Sequence, residues 1–130
     1  MLNAEPLNGS LRPLLQLRSF RIGVDRNAFE HFRAQMLHFA AAFSFEDRSR
    51  QLAPDPHEIF FAFFRDDIML LATNDPKADN SGLRYLVTFH PRLERQASPP
   101  PPENVDLLVE GLMKFIAPVE GAVMTEVTKP

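Results

Sequence analysis

Four histidines are the residues of this chain best suited to acid–base or metal chemistry. His31 and His38 fall on one predicted helix, where a separation of seven residues is about 10.5 Å along the axis, too far for one metal ion to bridge. His57 precedes a predicted strand, and His90 ends another just before Pro91. Either of these two could meet a carboxylate in the folded chain. The sequence itself predicts no catalytic residue, no metal site and no cofactor.

The sequence contains no other motif that is typical of catalysis or of ligand binding. The adjacent carboxylates Asp66-Asp67 lie at the tip of a predicted hairpin, where they are typical of a charged turn that protects a sheet edge. Loop 74–82 is similar to a calcium-binding loop in composition only, because Lys77 and Asn80 stand where an oxygen ligand and a glycine belong. The sequence contains no phosphate-binding glycine loop, no GxSxG and no HExxH.

Composition and charge disfavour several classes of protein. The 130 residues are 45% hydrophobic and 24% charged, a balance typical of one globular domain. The absence of cysteine excludes disulfides and thiolate chemistry, and it favours a cytoplasmic location. A net charge of −3 disfavours nucleic acid or anionic lipid as a partner. No apolar run approaches the roughly 20 residues that span a bilayer, and residues 1–6 lack a signal-peptide pattern.

Two helices are predicted from the spacing of apolar residues. Asp25 or Asn27 can cap the first helix, and Asn27 with Glu30 forms a capping box. The apolar stripe of this helix, spaced by three and four residues, is Phe29, Phe32, Met36, Phe39 and Phe43. The second helix follows a proline-rich linker over 96–102, with Asn104 as its cap. Its stripe is Val105, Leu108, Leu112 and Phe115. Both stripes are predicted to be core.

Strands are predicted from alternation and from short apolar runs. They cover residues 15–24, 58–65, 68–73, 83–89 and, as a short edge strand, 122–127. A slip in the alternation at Arg18-Ser19 indicates either a bulge or burial on both faces. The second and third strands are joined tightly through Asp66-Asp67, and the charged segment 44–57 is a polar connection.

The element order is β-α-β-β-β-α with a possible C-terminal strand, and it predicts a single α+β domain over 1–130. Because short loops join consecutive strands, an antiparallel sheet of three to five strands is expected, with both helices packed on one face. Residues 1–13 are expected to form a loose lead-in, and 118–130 a tail.

The run Ile59–Phe64 is apolar without alternation, so it offers large side chains to both faces of the sheet. Since the helices cover one face, the other is expected to need a cover, which a partner or the tail could supply. The size, charge and element order resemble those of small acidic binding proteins of bacteria, such as secretion chaperones and immunity proteins. The sequence therefore predicts a non-enzymatic protein-binding module, as a homodimer or with another protein. The expected contact residues are Phe60, Phe61, Phe63, Phe64, Arg65, Asp66 and Asp67.

The alternative is a small-molecule-binding or enzymatic α+β domain with a pocket between the sheet and the first helix. Polar groups converging around His57 or His90 would favour this alternative, whereas a flat apolar patch would favour protein binding. Neither hypothesis requires a metal or a covalent cofactor.

Overall fold

A computed structural model describes residues 17–52, 54–75, 82–92, 94 and 99–127 of the chain. The strands in this part are β1 (Arg18–Asp25), β2 (Glu46–Asp47), β3 (Arg50–Gln51), β4 (Ile59–Phe64), β5 (Ile68–Asn74), β6 (Gly82–Pro91) and β7 (Val123–Glu126). Helix α1 (Phe29–Ala42) lies between β1 and β2, and helix α2 (Pro102–Ile116) lies between β6 and β7. The predicted α+β class is therefore confirmed.

Every strand pairing is antiparallel, as predicted. The strands lie in the order β2-β4-β5-β6-β1-β7, and β3 also pairs with β4. The described sheet has seven strands rather than three to five, because β2 and β3 form where the sequence predicted a polar connection. Glu46 pairs with Phe64 and Arg50 with Phe60, so the two short strands form one interrupted edge. Their residues are charged or polar and exposed, which leaves no apolar alternation to indicate a strand.

One face of the sheet forms the core together with both helices, which also pack against each other. The Phe32 ring stacks on Tyr85 of β6 with 5.0 Å between centroids and meets Phe61 of β4 edge-on at 5.8 Å. Phe39 contacts Phe115 of α2 at 6.3 Å. The buried part of the predicted stripe is Phe29, Phe32, Met36 and Phe39, whereas Phe43 is partly buried. The assignment of this stripe to the core is confirmed.

The helix starts differ from the predictions. The capping box of Asn27 and Glu30 does not form, because a 3-10 helix occupies Arg26–Ala28 and no side chain caps α1. Helix α2 begins at Pro102 instead of after Asn104, and Pro101 is its N-cap. A proline at the first helical position lacks only an N–H that would be unpaired there anyway. Residues 96–98 of the predicted linker lie outside the described residues.

β1 pairs with β6 in one continuous register from Arg18 to Asp25, so no bulge forms at Arg18-Ser19. Instead, Ser19 is buried on the face opposite Phe20, which is the second of the two alternatives. The predicted edge strand at 122–127 is present as β7, which pairs with β1. Gly121 leads into it at a φ of 75°. Residues 1–13 lie outside the described part of the chain. Neither described helix is long and apolar enough to cross a bilayer.

Candidate functional site

The two faces of β4 differ in how deeply their side chains are buried. Phe61 and Phe63 point towards the helices and are 0% exposed. Phe60 and Phe64 point to the opposite face and are only partly buried. The apolar run without alternation is therefore a strand with aromatic side chains on both faces, of which the helices cover one.

The outer face, defined here as the sheet surface opposite the helices, carries a row of apolar side chains. Those that remain partly or fully exposed are Phe60, Phe64, Met69, Leu71 and Leu86. Phe64 lies directly across from Met69, and Leu71 lies between Ala62 and Thr88. Thr88 is nearly buried, and Ser19 donates a hydrogen bond of 3.2 Å to its hydroxyl. The outer face is thus apolar near β4 and β5 and becomes polar towards β1.

A pocket of about 720 Å³, the hairpin pocket, opens at one end of β4. The end of α1, strand β2, the β4–β5 hairpin and the residue after β6 converge there. Its lining residues are Phe43, Ser44, Glu46, Arg48, Phe64, Arg65, Asp66, Asp67 and Arg92. Phe43 also packs against Gly111 of α2, where an added Cβ would fall 2.3 Å from its ring. The pocket wall is therefore held in place by the helix pair.

Two guanidinium groups pack against the ring of Phe64. Arg48 lies 4.5 Å and Arg92 lies 5.0 Å from the ring centroid. The Arg92 side chain is only 10% exposed, and it donates from Nε to Glu94 at 3.0 Å and from Nη1 to the carbonyl of Arg65 at 2.8 Å. A cation buried this far requires such partners, since an unpaired one would be strongly destabilising. These contacts hold the end of β6 against the hairpin.

Arg65 joins the hairpin to the end of α1. Its Nη1 donates to the Phe43 carbonyl at 3.1 Å, and its guanidinium lies 5.1 Å from the Phe45 ring centroid. Its Nε is 3.4 Å from an Asp67 oxygen. The chain leaves α1 through Ser44, whose φ of 64° lies in the left-handed region.

The lining of the hairpin pocket carries equal numbers of basic and acidic side chains. Three arginines and three carboxylates line it, so its formal charge is balanced. Arg48 donates to Glu46 at 3.0 Å, and this hydrogen bond lowers the pKa of the Glu46 carboxyl. No histidine lines the pocket that could activate the hydroxyl of Ser44. Among the described residues, no group of three His, Asp or Glu side chains could hold a metal ion.

His57 lies at the other end of β4, where it contacts Phe29 and Asp55. Its ring meets Phe29 edge-on at 4.9 Å, and its Nδ1 is 3.1 Å from an Asp55 oxygen. The Tyr85 hydroxyl and the Asn74 amide donate to its backbone carbonyl at 2.7 and 3.1 Å. Burial raises the pKa of the Tyr85 hydroxyl, which keeps it protonated as a donor. These contacts close the loop between β3 and β4.

The other three histidines lie on the outer face and on helix α1. His90 is nearly buried on the outer face, across from Met69. His31 and His38 are exposed on α1, and His38 lies 3.2 Å from the Gln35 side chain. None of the four lines the hairpin pocket.

The structure divides the seven predicted contact residues into two groups. Phe64, Arg65, Asp66 and Asp67 line the hairpin pocket, and Phe60 lies on the adjoining outer face. Phe61 and Phe63 are in the core. Sequence reasoning missed Arg48 and Arg92, which are distant in the chain and belong to no motif. No protein-family model matches this chain, and no curated protein is significantly similar to it.

Proposed function

We propose that this protein is a non-enzymatic protein-binding module that covers a surface of a partner protein. The contact is made by the outer face around Phe60 and by the adjoining hairpin pocket. One observation carries the proposal: Phe64 is an incompletely buried aromatic ring with two arginine guanidinium groups packed against it, 4.5 and 5.0 Å from its centroid. It belongs both to the outer face and to the pocket.

The types of residue at this surface favour a protein as the ligand. Interfaces are enriched in aromatic residues, methionine and arginine, and their strongest contacts cluster around such anchors. Arg92 is already held by Glu94 and by the Arg65 carbonyl. An arginine fixed in this way loses little conformational entropy on binding, so more of its interaction energy appears as affinity.

Five of the predicted contact residues take part in this surface: Phe60, Phe64, Arg65, Asp66 and Asp67. Arg48 and Arg92 join them because they contact Phe64. Phe61 and Phe63 support the surface from beneath, through their packing in the core. The balanced charge of the pocket suits a partner that presents both acidic and basic groups.

A small-molecule site is the second candidate, and the size of the hairpin pocket favours it. A volume of about 720 Å³ falls within the range of known ligand sites. Its arginines suit a carboxylate or phosphate group. The pocket lies at the hairpin end rather than between the sheet and the length of α1, however, and neither His57 nor His90 lines it.

Site-specific photo-crosslinking tests the proposal. A photoreactive amino acid replaces Phe60 or Asp66 in the chain expressed in its native host, with the exposed α1 residue Arg33 as the matched control position. We expect one protein to be crosslinked from both surface positions and not from Arg33. The crosslink should weaken at least tenfold in an Arg48→Glu background, because that change reverses a charge beside Phe64.

Two results would contradict the protein-binding proposal. Equal crosslinking from all three positions would show that the contacts are nonspecific. Absence of any protein crosslink, with a small anion detected in the native protein by mass spectrometry and lost in Arg92→Ala, would instead support the small-molecule candidate.

A further inference from the structure

β7 forms an edge of the sheet, and its outer side has no strand partner among the described residues. The Val127 N–H donates to the Ser19 carbonyl at 2.8 Å. Backbone groups alternate in direction along an antiparallel strand, so those of Thr125 also face β1. The N–H and C=O groups of Met124 and Glu126 therefore point away from the sheet. They form a short row of donors and acceptors open to another strand.

The opposite edge of the sheet does not offer such a row. β2 and β3 have two residues each and are interrupted at Arg48-Ser49. The Ser49 hydroxyl, instead of a backbone carbonyl, accepts the N–H of Ala62 at 3.1 Å. Short strands, an interruption and charged side chains are known means of preventing edge pairing. β7 has no proline, no lysine and no interruption, and Val123 at its start is 63% exposed.

We propose that β7 pairs with β7 of a second copy of this chain, in an antiparallel register centred on Thr125. In this register Met124 and Glu126 of one copy exchange both backbone hydrogen bonds with Glu126 and Met124 of the other. The two sheets then become one continuous sheet, related by a two-fold axis through the paired Thr125 residues.

The two neighbouring registers fit β7 less well. Centring the pair on Met124 would require the N–H of Ala122, which already donates to the Val119 carbonyl at 3.1 Å. Centring it on Glu126 would pair Met124 with position 128 of the other copy, which lies beyond the end of β7. The register centred on Thr125 avoids both problems, since it uses only the two residues whose groups are open.

The charges of β7 are also compatible with pairing to an identical strand. Arg18 binds Glu126 through Nε at 2.9 Å and Nη2 at 2.7 Å, so the one carboxylate of β7 is already neutralised. The threonines at the axis would form a non-hydrogen-bonded pair, in which side chains lie close together and Thr–Thr contacts are favourable. A second copy pairs the open backbone groups of both β7 strands at once. A strand from another protein would need a sequence that fits this register.

This dimer is independent of the proposed partner surface. β7 and the β2/β3 edge lie at opposite sides of the sheet. Pairing through β7 therefore leaves the hairpin pockets of both copies free, and a dimer would present the partner-binding surface twice.

Cysteine crosslinking tests the register, since the chain has no cysteine of its own. In Thr125→Cys, the two new thiols would lie opposite each other across the axis, close enough for a disulfide. The matched control is Val123→Cys, two residues away on the same face. There the two thiols would be roughly 13 Å apart along the strands, too far to bond. Under mild oxidation we expect Thr125→Cys to form disulfide-linked dimers at least tenfold faster than Val123→Cys. Equal rates would overturn the proposal.

Sedimentation equilibrium at micromolar concentration provides the second measurement. The unmodified chain should be dimeric, and Thr125→Lys should raise the dissociation constant at least tenfold, because it places like charges face to face at the axis. Phe60→Asp, on the outer face, should leave the dissociation constant unchanged while it removes the partner crosslink. A monomeric unmodified chain, or a Thr125→Lys variant that dimerises fully, would show that β7 does not pair in this way.

Discussion

Arg18 connects three elements through its guanidinium group. It hydrogen-bonds Glu126 on β7 and, through Nη1, Asp106 on α2 at 3.0 Å. The hydrogen bond from Arg18 lowers the pKa of the Glu126 carboxyl. A lowered pKa in the folded state means that the interaction stabilises the fold above the usual carboxyl pKa. This contribution is lost as the pH falls through the folded-state value.

Replacing Glu126 with glutamine should therefore have an effect that depends on pH. At pH 7 we expect Glu126→Gln to lower the free energy of unfolding by about 0.2–1 kcal/mol, because the pair is exposed to solvent. As the pH falls through the lowered pKa of Glu126, the carboxyl becomes neutral like the glutamine amide, and the difference should shrink. Urea denaturation at pH 7 and at the lowest pH at which the protein stays folded measures it, with the exposed Glu110→Gln on α2 as the control. A difference of equal size at both pH values would contradict this assignment.

Two residues of the hairpin pocket could not be assigned to the candidate site from the sequence. Phe64 and Asp66 were predicted as contact residues because they lie on a short apolar strand and its turn. Arg48 and Arg92 were not predicted, because each is an arginine in a polar segment and nothing in its neighbours indicates a role. They meet Phe64 only when β2 and the end of β6 converge on β4. That convergence depends on sheet topology, and not on local spacing.

Phe39 is one of the buried aromatic residues of helix α1. The Phe39 ring is 0% exposed and contacts the rings of Phe43, Phe45 and Phe115. It therefore links α1, the following loop and α2.

Truncating this ring should strongly destabilise the protein. We expect Phe39→Ala to lower the free energy of unfolding by about 3–5 kcal/mol, through lost burial and the cavity left behind. The exposed His31→Ala on the same helix should change it by less than about 0.5 kcal/mol. Urea denaturation of both variants provides the comparison. Equal values for the two would contradict the position of Phe39 in the core.

Elements with strong apolar periodicity could be predicted, and those without it could not. The stripe of α1, the hairpin of β4 and β5, and strand β6 are all present near their predicted bounds. β2 and β3 were missed because their stability comes from pairing with β4, and their own residues are polar. The predicted capping box is absent because residues 26–28 form a 3-10 helix between β1 and α1.

The whole molecule is expected to be stable without a metal. The buried side chains of β1, β4, β5, β6 and both helices form one apolar cluster, which is the principal source of stability in a domain of this size. Dialysis against EDTA should leave the thermal midpoint within about 1 °C of that after dialysis against buffer alone, since a bound metal would add stability by mass action. A clear fall that is restored by adding Zn²⁺ would reveal a structural metal site.

The place of β1 in the sheet has a consequence for synthesis on the ribosome. β1 is the first described strand, yet its partners β6 and β7 come more than 50 residues later in the chain. Until residues 82–91 have emerged from the exit tunnel, Phe20, Ile22 and Val24 have no strand to pair with. A nascent chain that stops before β6 therefore exposes these side chains together with the aromatic stripe of α1. β1 can join the sheet only after β6 has been made, and a chain stalled before that point would be a client for chaperones.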